Sequence, residues 1–132
     1  MYWQRLVEMP DKTMRVMIAD QQHSRLLEIE RLLNDAGYHR IVPVQTPEDM
    51  LKLIEAAPFG MLVMNSDFLL GCDGTALEFI QRISMVKSVL FYGSGRVSSS
   101  QSWETRNVRV FFSTSPSSGV ISNVVRSLGV HE

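Results

Sequence analysis

The stretch Met14-Arg15-Val16-Met17-Ile18-Ala19-Asp20-Gln21-Gln22-His23-Ser24 passes from a short, largely apolar run straight into polar residues. A run of that length with a polar end reads as a buried strand that stops in a loop. From Ser24 onward Leu26, Leu27, Ile29, Leu32, Leu33 and Ala36 recur at three- and four-residue spacing. This is an amphipathic helix, and Gly37 stands where a helix C-cap uses a left-handed residue.

The same alternation continues outward from this unit. Ile41 to Val44 is a second strand, and Thr46-Pro47-Glu48-Asp49 supplies an N-cap, a proline at the first helical position and first-turn acids for a helix to about Ala57. Gly60 to Asn65 is a third buried run. A loop, Ser66 to Asp73, then leads to a third helix with Leu77, Phe79, Ile80 and Ile83 on its apolar side. Val89 to Tyr92 and Val108 to Phe112 give strands four and five. Between them Gly93 to Ser102 is rich in serine and poor in helix formers, so a mobile connection with at most a short helix is expected. Ser115-Pro116 opens a last helix striped by Val120, Ile121, Val124, Val125 and Leu128.

Continuous apolar strands alternating with helices call for a parallel sheet covered on both faces. The fold class predicted is therefore α/β, a doubly wound three-layer sandwich around a five-stranded parallel sheet. In such sheets chemistry gathers at the carboxyl ends of the strands, near a topological switch point. The tips to watch are Asp20-Gln21, Asn65 to Asp67, Gly93-Ser94 and Ser113 to Pro116.

Bulk properties narrow the function. The 132 residues, 45% hydrophobic, suit one domain, expected over residues 14–132 behind a leader of residues 1–13. Thirteen Lys and Arg against fourteen Asp and Glu leave a net charge of -1, which disfavours direct nucleic-acid binding. No signal-peptide core and no apolar run of about 18 residues is present, so a cytoplasmic protein with no membrane partner is expected. A single cysteine, Cys72, forms no internal disulfide, and His23, His39 and His131 are too scattered for a metal site.

The order of elements, Ile18-Ala19-Asp20 closing strand one, the step from Asp20 to Gly37, Asp73-Gly74 opening helix three and Ser115-Pro116 after strand five resemble the receiver domains of bacterial two-component response regulators. The likeness spans about Met14 to Leu128 and implies a flavodoxin-like receiver topology. In that family two adjacent acids after strand one hold Mg²⁺, an aspartate ending strand three accepts the phosphoryl group, and a Ser or Thr after strand four and a lysine after strand five bind it. A hard cation needs carboxylate oxygens, the acceptor must be a nucleophilic carboxylate, and the phosphoryl oxygens need a cation and a hydroxyl.

Set against that pattern, the acid pair is Asp20-Gln21, leaving Asp20 as a residual metal ligand. The acceptor position falls on Asn65 when counted from Pro58 and on Ser66 when counted back from Asp73-Gly74. Neither forms an acyl phosphate, and Asp67 is a nearby carboxylate that reaches the position only by a local slip. The hydroxyl position falls on Gly93 with Ser94 beside it, and the lysine position falls on Ser115. Phe112 stands where the family often carries a switching aromatic. Four departures at four tips, with the strands and helices intact, describe a pseudo-receiver, a fold kept and a reaction lost.

The expected function is a receiver-like signal transduction module outside ordinary phosphorelay chemistry. It acts through a protein partner, an output domain or a homodimer, and is not an enzyme, for no nucleophile-base pair is in view. Arg96, Trp103, Arg106 and Arg109 supply the aromatic and arginine content of an interface. No cofactor is expected, and Mg²⁺ only if the residual pocket works. Driving a nearly complete switch takes about 5.5 kcal/mol, which without an acyl phosphate must come from a partner or ligand. Two alternatives stand beside this one. The first is a phosphorelay receiver modified at Asp67 by a histidine kinase, and the second is a nucleotide sensor using Gly93-Ser94-Gly95-Arg96-Val97-Ser98 as a phosphate loop.

Overall fold

The computed structural model describes residues 13–71, 86–93, 102–105, 108–113, 117, 119–121 and 123–124; of 69–71, 102–105, 108, 109 and 112 it describes the backbone alone. The expectations for the leader up to residue 12, Cys72 and the third helix fall outside those residues.

Among the described residues six strands form one sheet in the order β2-β1-β3-β4-β6-β5. Strands β1 (Val16–Ala19), β2 (Ile41–Val44), β3 (Met61–Asn65), β4 (Ser88–Tyr92) and β6 (Val108–Ser113) run parallel, as the sequence predicts. The addition is β5 (Ser102–Thr105), which pairs antiparallel with β6 at the sheet edge, Trp103 opposite Val110 and Glu104 opposite Arg109. The serine-rich connection thus ends in an edge strand. Thr105 pairs with Val108 at the end of this antiparallel pair.

Helix α1 (His23–Asp35) ends as predicted, with Gly37 in the left-handed region at φ 100°. Helix α2 (Pro47–Ala56) starts as predicted, Thr46 Oγ1 accepting the Asp49 N–H at 3.1 Å. The loop expected from Ser66 is instead a 3₁₀ helix, η1 (Ser66–Gly71). Two features close it: Asn65 Oδ1 accepts the Asp67 N–H at 2.9 Å, and Phe68 is fully buried. A hydrogen-bonded start and an apolar anchor outweigh the absence of a helical pattern.

The two faces of the sheet bury different sets of residues, and period-two alternation decides which. Met17, Ala19, Leu62, Met64, Val89 and Phe91 pack with Met50 and Ile54 of α2. Val16, Ile18, Met61, Val63, Leu90 and Tyr92 pack with Leu26, Ile29 and Leu33 of α1 and with Ile121 and Val124. Residues 119–121 and 123–124 are helical, in agreement with the predicted last helix.

Candidate functional site

The alternation that sorts the core also builds the site. Asp20 follows Ile18 on the α1 face, Asn65 follows Val63, and Tyr92 follows Leu90. Ala19 is in register with Met64, and Asn65 with Tyr92, so these three side chains meet at neighbouring tips. Asp20 and Asn65 lie at the tips of β1 and β3, where the strand order reverses direction, and Tyr92 ends the adjacent β4.

Asp20 is the centre. Its residue is 1% exposed, and its carboxylate is met by donors on both oxygens. Oδ1 accepts the Gln22 N–H at 2.8 Å. Oδ2 accepts the Tyr92 hydroxyl at 2.5 Å and the Asn65 amide Nδ2 at 3.3 Å. The Arg25 guanidinium forms an ion pair with the same oxygen, Nε to Oδ2 3.7 Å, while Arg25 Nη2 donates to Gln22 Oε1 at 3.3 Å. Burying a carboxylate is costly unless it is paired and hydrogen-bonded, and here Gln22, Asn65, Tyr92 and Arg25 all turn positive groups to it. Burial first, then the hydrogen bond and the negative charge of Asp20, push the Tyr92 phenol well above its ordinary range. Tyr92 therefore stays a protonated donor.

The remaining predicted residues take varied places. Asn65 is the last residue of β3, with its amide committed on both sides, donating to Asp20 and accepting from Asp67. Ser66 is buried in η1, and its hydroxyl finds no hydrogen-bond partner among the described atoms. Asp67 is half-buried and joins the cluster through its backbone N–H. Gln21 is exposed, its carbonyl accepting Gln45 Nε2 at 3.3 Å. Gly93 has φ 123° and donates to the Ser113 carbonyl at 3.2 Å. A Cβ there would lie 3.1 Å from Asn65 Oδ1 and 3.2 Å from Ser66 Oγ, so glycine is what allows the tips to close. Ser94, Arg96, Arg106 and Ser115 lie outside the described residues, as does the rest of the proposed phosphate loop after Gly93. Trp103 lies on β5 and Arg109 and Phe112 on β6, all three with side chains outside the described part.

Two members of the cluster were not foreseen. Tyr92, at the end of β4, brings a hydroxyl to Asp20, and strand parity with Leu90 is the signal that points to it. Arg25 sits in the first turn of α1, five residues after Asp20. Away from this cluster, a groove of about 460 Å³ opens between α1 and α2 over Leu26, Val44 and Leu53, rimmed by His23, Asp49 and Lys52. Asp20, Asn65 and Tyr92 do not line it.

No protein-family model and no curated protein sequence matches the chain. Among solved structures it is similar to a response regulator receiver domain protein from Bacillus halodurans C-125, with a TM-score of 0.61 over 91% of this chain and 99% of that one. The two are 14% identical, so the likeness establishes the fold and leaves the chemistry to the residues. The chain thus has a receiver fold, as its sequence led us to expect. Among the described residues no group of His, Cys, Asp and Glu is arranged to hold a metal ion, and no helix is long and apolar enough to cross a membrane.

Proposed function

We propose that the chain is a receiver-like signalling module without aspartyl-phosphate chemistry, which transmits information by binding a protein partner or a second copy of itself. One observation carries this reading. The strand-three tip holds an amide, Asn65, whose donor and acceptor sides are both occupied by neighbours, Asp20 on one side and Asp67 on the other. An amide is no nucleophile toward a phosphoryl donor, and this one is not free to turn. The surrounding fold is that of a receiver, which supports a signalling role, and turnover of a substrate forms no part of it.

The test is intact-mass spectrometry of the full chain after treatment with acetyl phosphate and Mg²⁺, with an Asp67→Ala variant beside it. The expected outcome is an unchanged mass in both. A single phosphoryl adduct lost in the variant would sink the proposal and establish Asp67 as a displaced acceptor. Size-exclusion chromatography with light scattering then separates self-association from the need for a different partner.

A further inference from the structure

The resemblance to receivers implies a Mg²⁺ ion held by carboxylates at the tip of β1, and the donor set there does not fit one. Mg²⁺ requires oxygen ligands in near-octahedral geometry and keeps several of its waters. Asp20 is almost wholly buried, which leaves little room for water, and the neighbouring position is an exposed amide, Gln21. A carboxylate offers about four lone-pair directions. Three are taken by the Gln22 N–H, the Tyr92 hydroxyl and the Asn65 amide, and the Arg25 guanidinium stands over Oδ2. Each group presents its positive end to the place a cation would occupy.

Arg25 is also oddly placed for a helix residue. It lies in the first turn of α1, a turn with no acid of its own. A cation near a helix N-terminus is opposed by the helix dipole, so its position calls for a compensating charge. Asp20 supplies it. The chain between them is shaped to match: Gln22, the α1 N-cap, donates its N–H to Asp20 Oδ1, accepts the Arg25 N–H on its carbonyl at 3.1 Å, and accepts Arg25 Nη2 on its side chain.

We infer that Arg25 is a built-in counter-cation, standing in for the divalent ion and, with Tyr92 and Asn65, tying the tips of β1, β3 and β4 to α1 in one metal-independent arrangement. This inference deepens the proposed loss of phosphoryl chemistry and rests on it. The strand tips are then governed by neither Mg²⁺ nor phosphate, and a partner meets a preset surface.

The experiment is thermal unfolding of the full chain in EDTA and in excess MgCl₂, for the wild type, Arg25→Lys, Arg25→Gln, Asp20→Asn and the Arg25→Gln/Asp20→Asn double variant. The wild-type midpoint is expected to be the same with and without Mg²⁺. Arg25→Gln should lower the midpoint by a few degrees, Arg25→Lys by less, and the Gln effect should vanish in the Asp20→Asn background. A Mg²⁺-raised wild-type midpoint would overturn the inference, as would an Arg25→Gln loss that persists in that background. Should Asp20→Asn fail to fold, the Mg²⁺ response of the wild type and the Lys-to-Gln difference decide alone. A phosphoryl adduct in the mass experiment would sink the proposed function, whereas a Mg²⁺-raised midpoint without an adduct would sink only the built-in cation.

Discussion

At the amino end of the sheet the chain is fastened by backbone bonds, a cation–π contact and the apolar contact of Met14 with Gly60. Gly60 donates to the Arg15 carbonyl at 2.9 Å, its own carbonyl accepts the Lys87 and Ser88 N–H groups at 3.2 Å, and the Arg15 guanidinium lies 4.5 Å from the centroid of the Phe59 ring. At the carboxyl end, a buried carboxylate is held by side chains from β3, β4 and α1. Both ends close the same strands, but by opposite means. Apolar contact at the amino end is graded, so a small change there loses a small amount. The polar cluster is closer to all-or-none, because each donor removed leaves another group buried without its partner.

Deleting the centre of the cluster is therefore the largest break. Asp20→Ala strands the Tyr92 hydroxyl, the Asn65 amide and the Gln22 N–H at once. A loss of about 3 kcal/mol is expected, the lower end of the range for a broken buried pair, because Arg25 is partly exposed and rehydrates. Urea unfolding measures it, and a loss below about 1 kcal/mol would show that the cluster is not what closes this end.

Removing one donor sharpens the contrast with a pH dependence. Tyr92→Phe should cost about 1.5–3 kcal/mol near neutral pH, the range for a hydrogen bond to a charged group. The wild-type phenol has its pKa raised in the folded protein above the ordinary value of 10.0. A group raised on folding contributes stability that is present below its unfolded pKa and lost as pH climbs beyond it. Wild-type stability should thus fall more steeply above pH about 10 than that of Tyr92→Phe, so the two curves converge. Parallel curves would place the Tyr92 hydroxyl in an environment other than the one described.

What could be read in the sequence follows the same division. Local rules place α1 and α2: Gly37 and Thr46-Pro47 act through their own backbone and near neighbours, and both caps stand where expected. The parallel strands are legible because each is a nearly continuous apolar run. The 3₁₀ helix is not, for it depends on Phe68 finding the α2 side of the core and on the Asn65 side chain. Strand β5 escapes notice because Ser102–Thr105 has its partner only once β6 is in place, and edge pairing is a weak local preference. Asp20 and Asn65 are found by aligning strand tips. Tyr92 requires following strand parity across two elements, and Arg25 requires knowing that the first turn of α1 leans over the tip of β1.

The smallest effect belongs to the amino end, and it tests whether graded contact is the right description of it. Gly60 is not among the described glycines with positive φ, so a side chain there meets no backbone strain. Its obstacle is Met14: an added Cβ would lie 3.0 Å from Met14 Cβ and Cγ and press on its sulfur. A thioether on three rotatable bonds yields where a branched side chain would not, so Gly60→Ala should cost about 1 kcal/mol, at the low end for overpacking. Because Gly60 lies at the opposite end of β3 from Asn65, the variant should keep the alkaline limb of the wild type and show the same indifference to Mg²⁺. Differential scanning fluorimetry between neutral and alkaline pH checks both. A loss as large as that of Asp20→Ala, or a changed alkaline limb, would mean that the two ends are mechanically coupled through β3 and that the separation drawn between them fails.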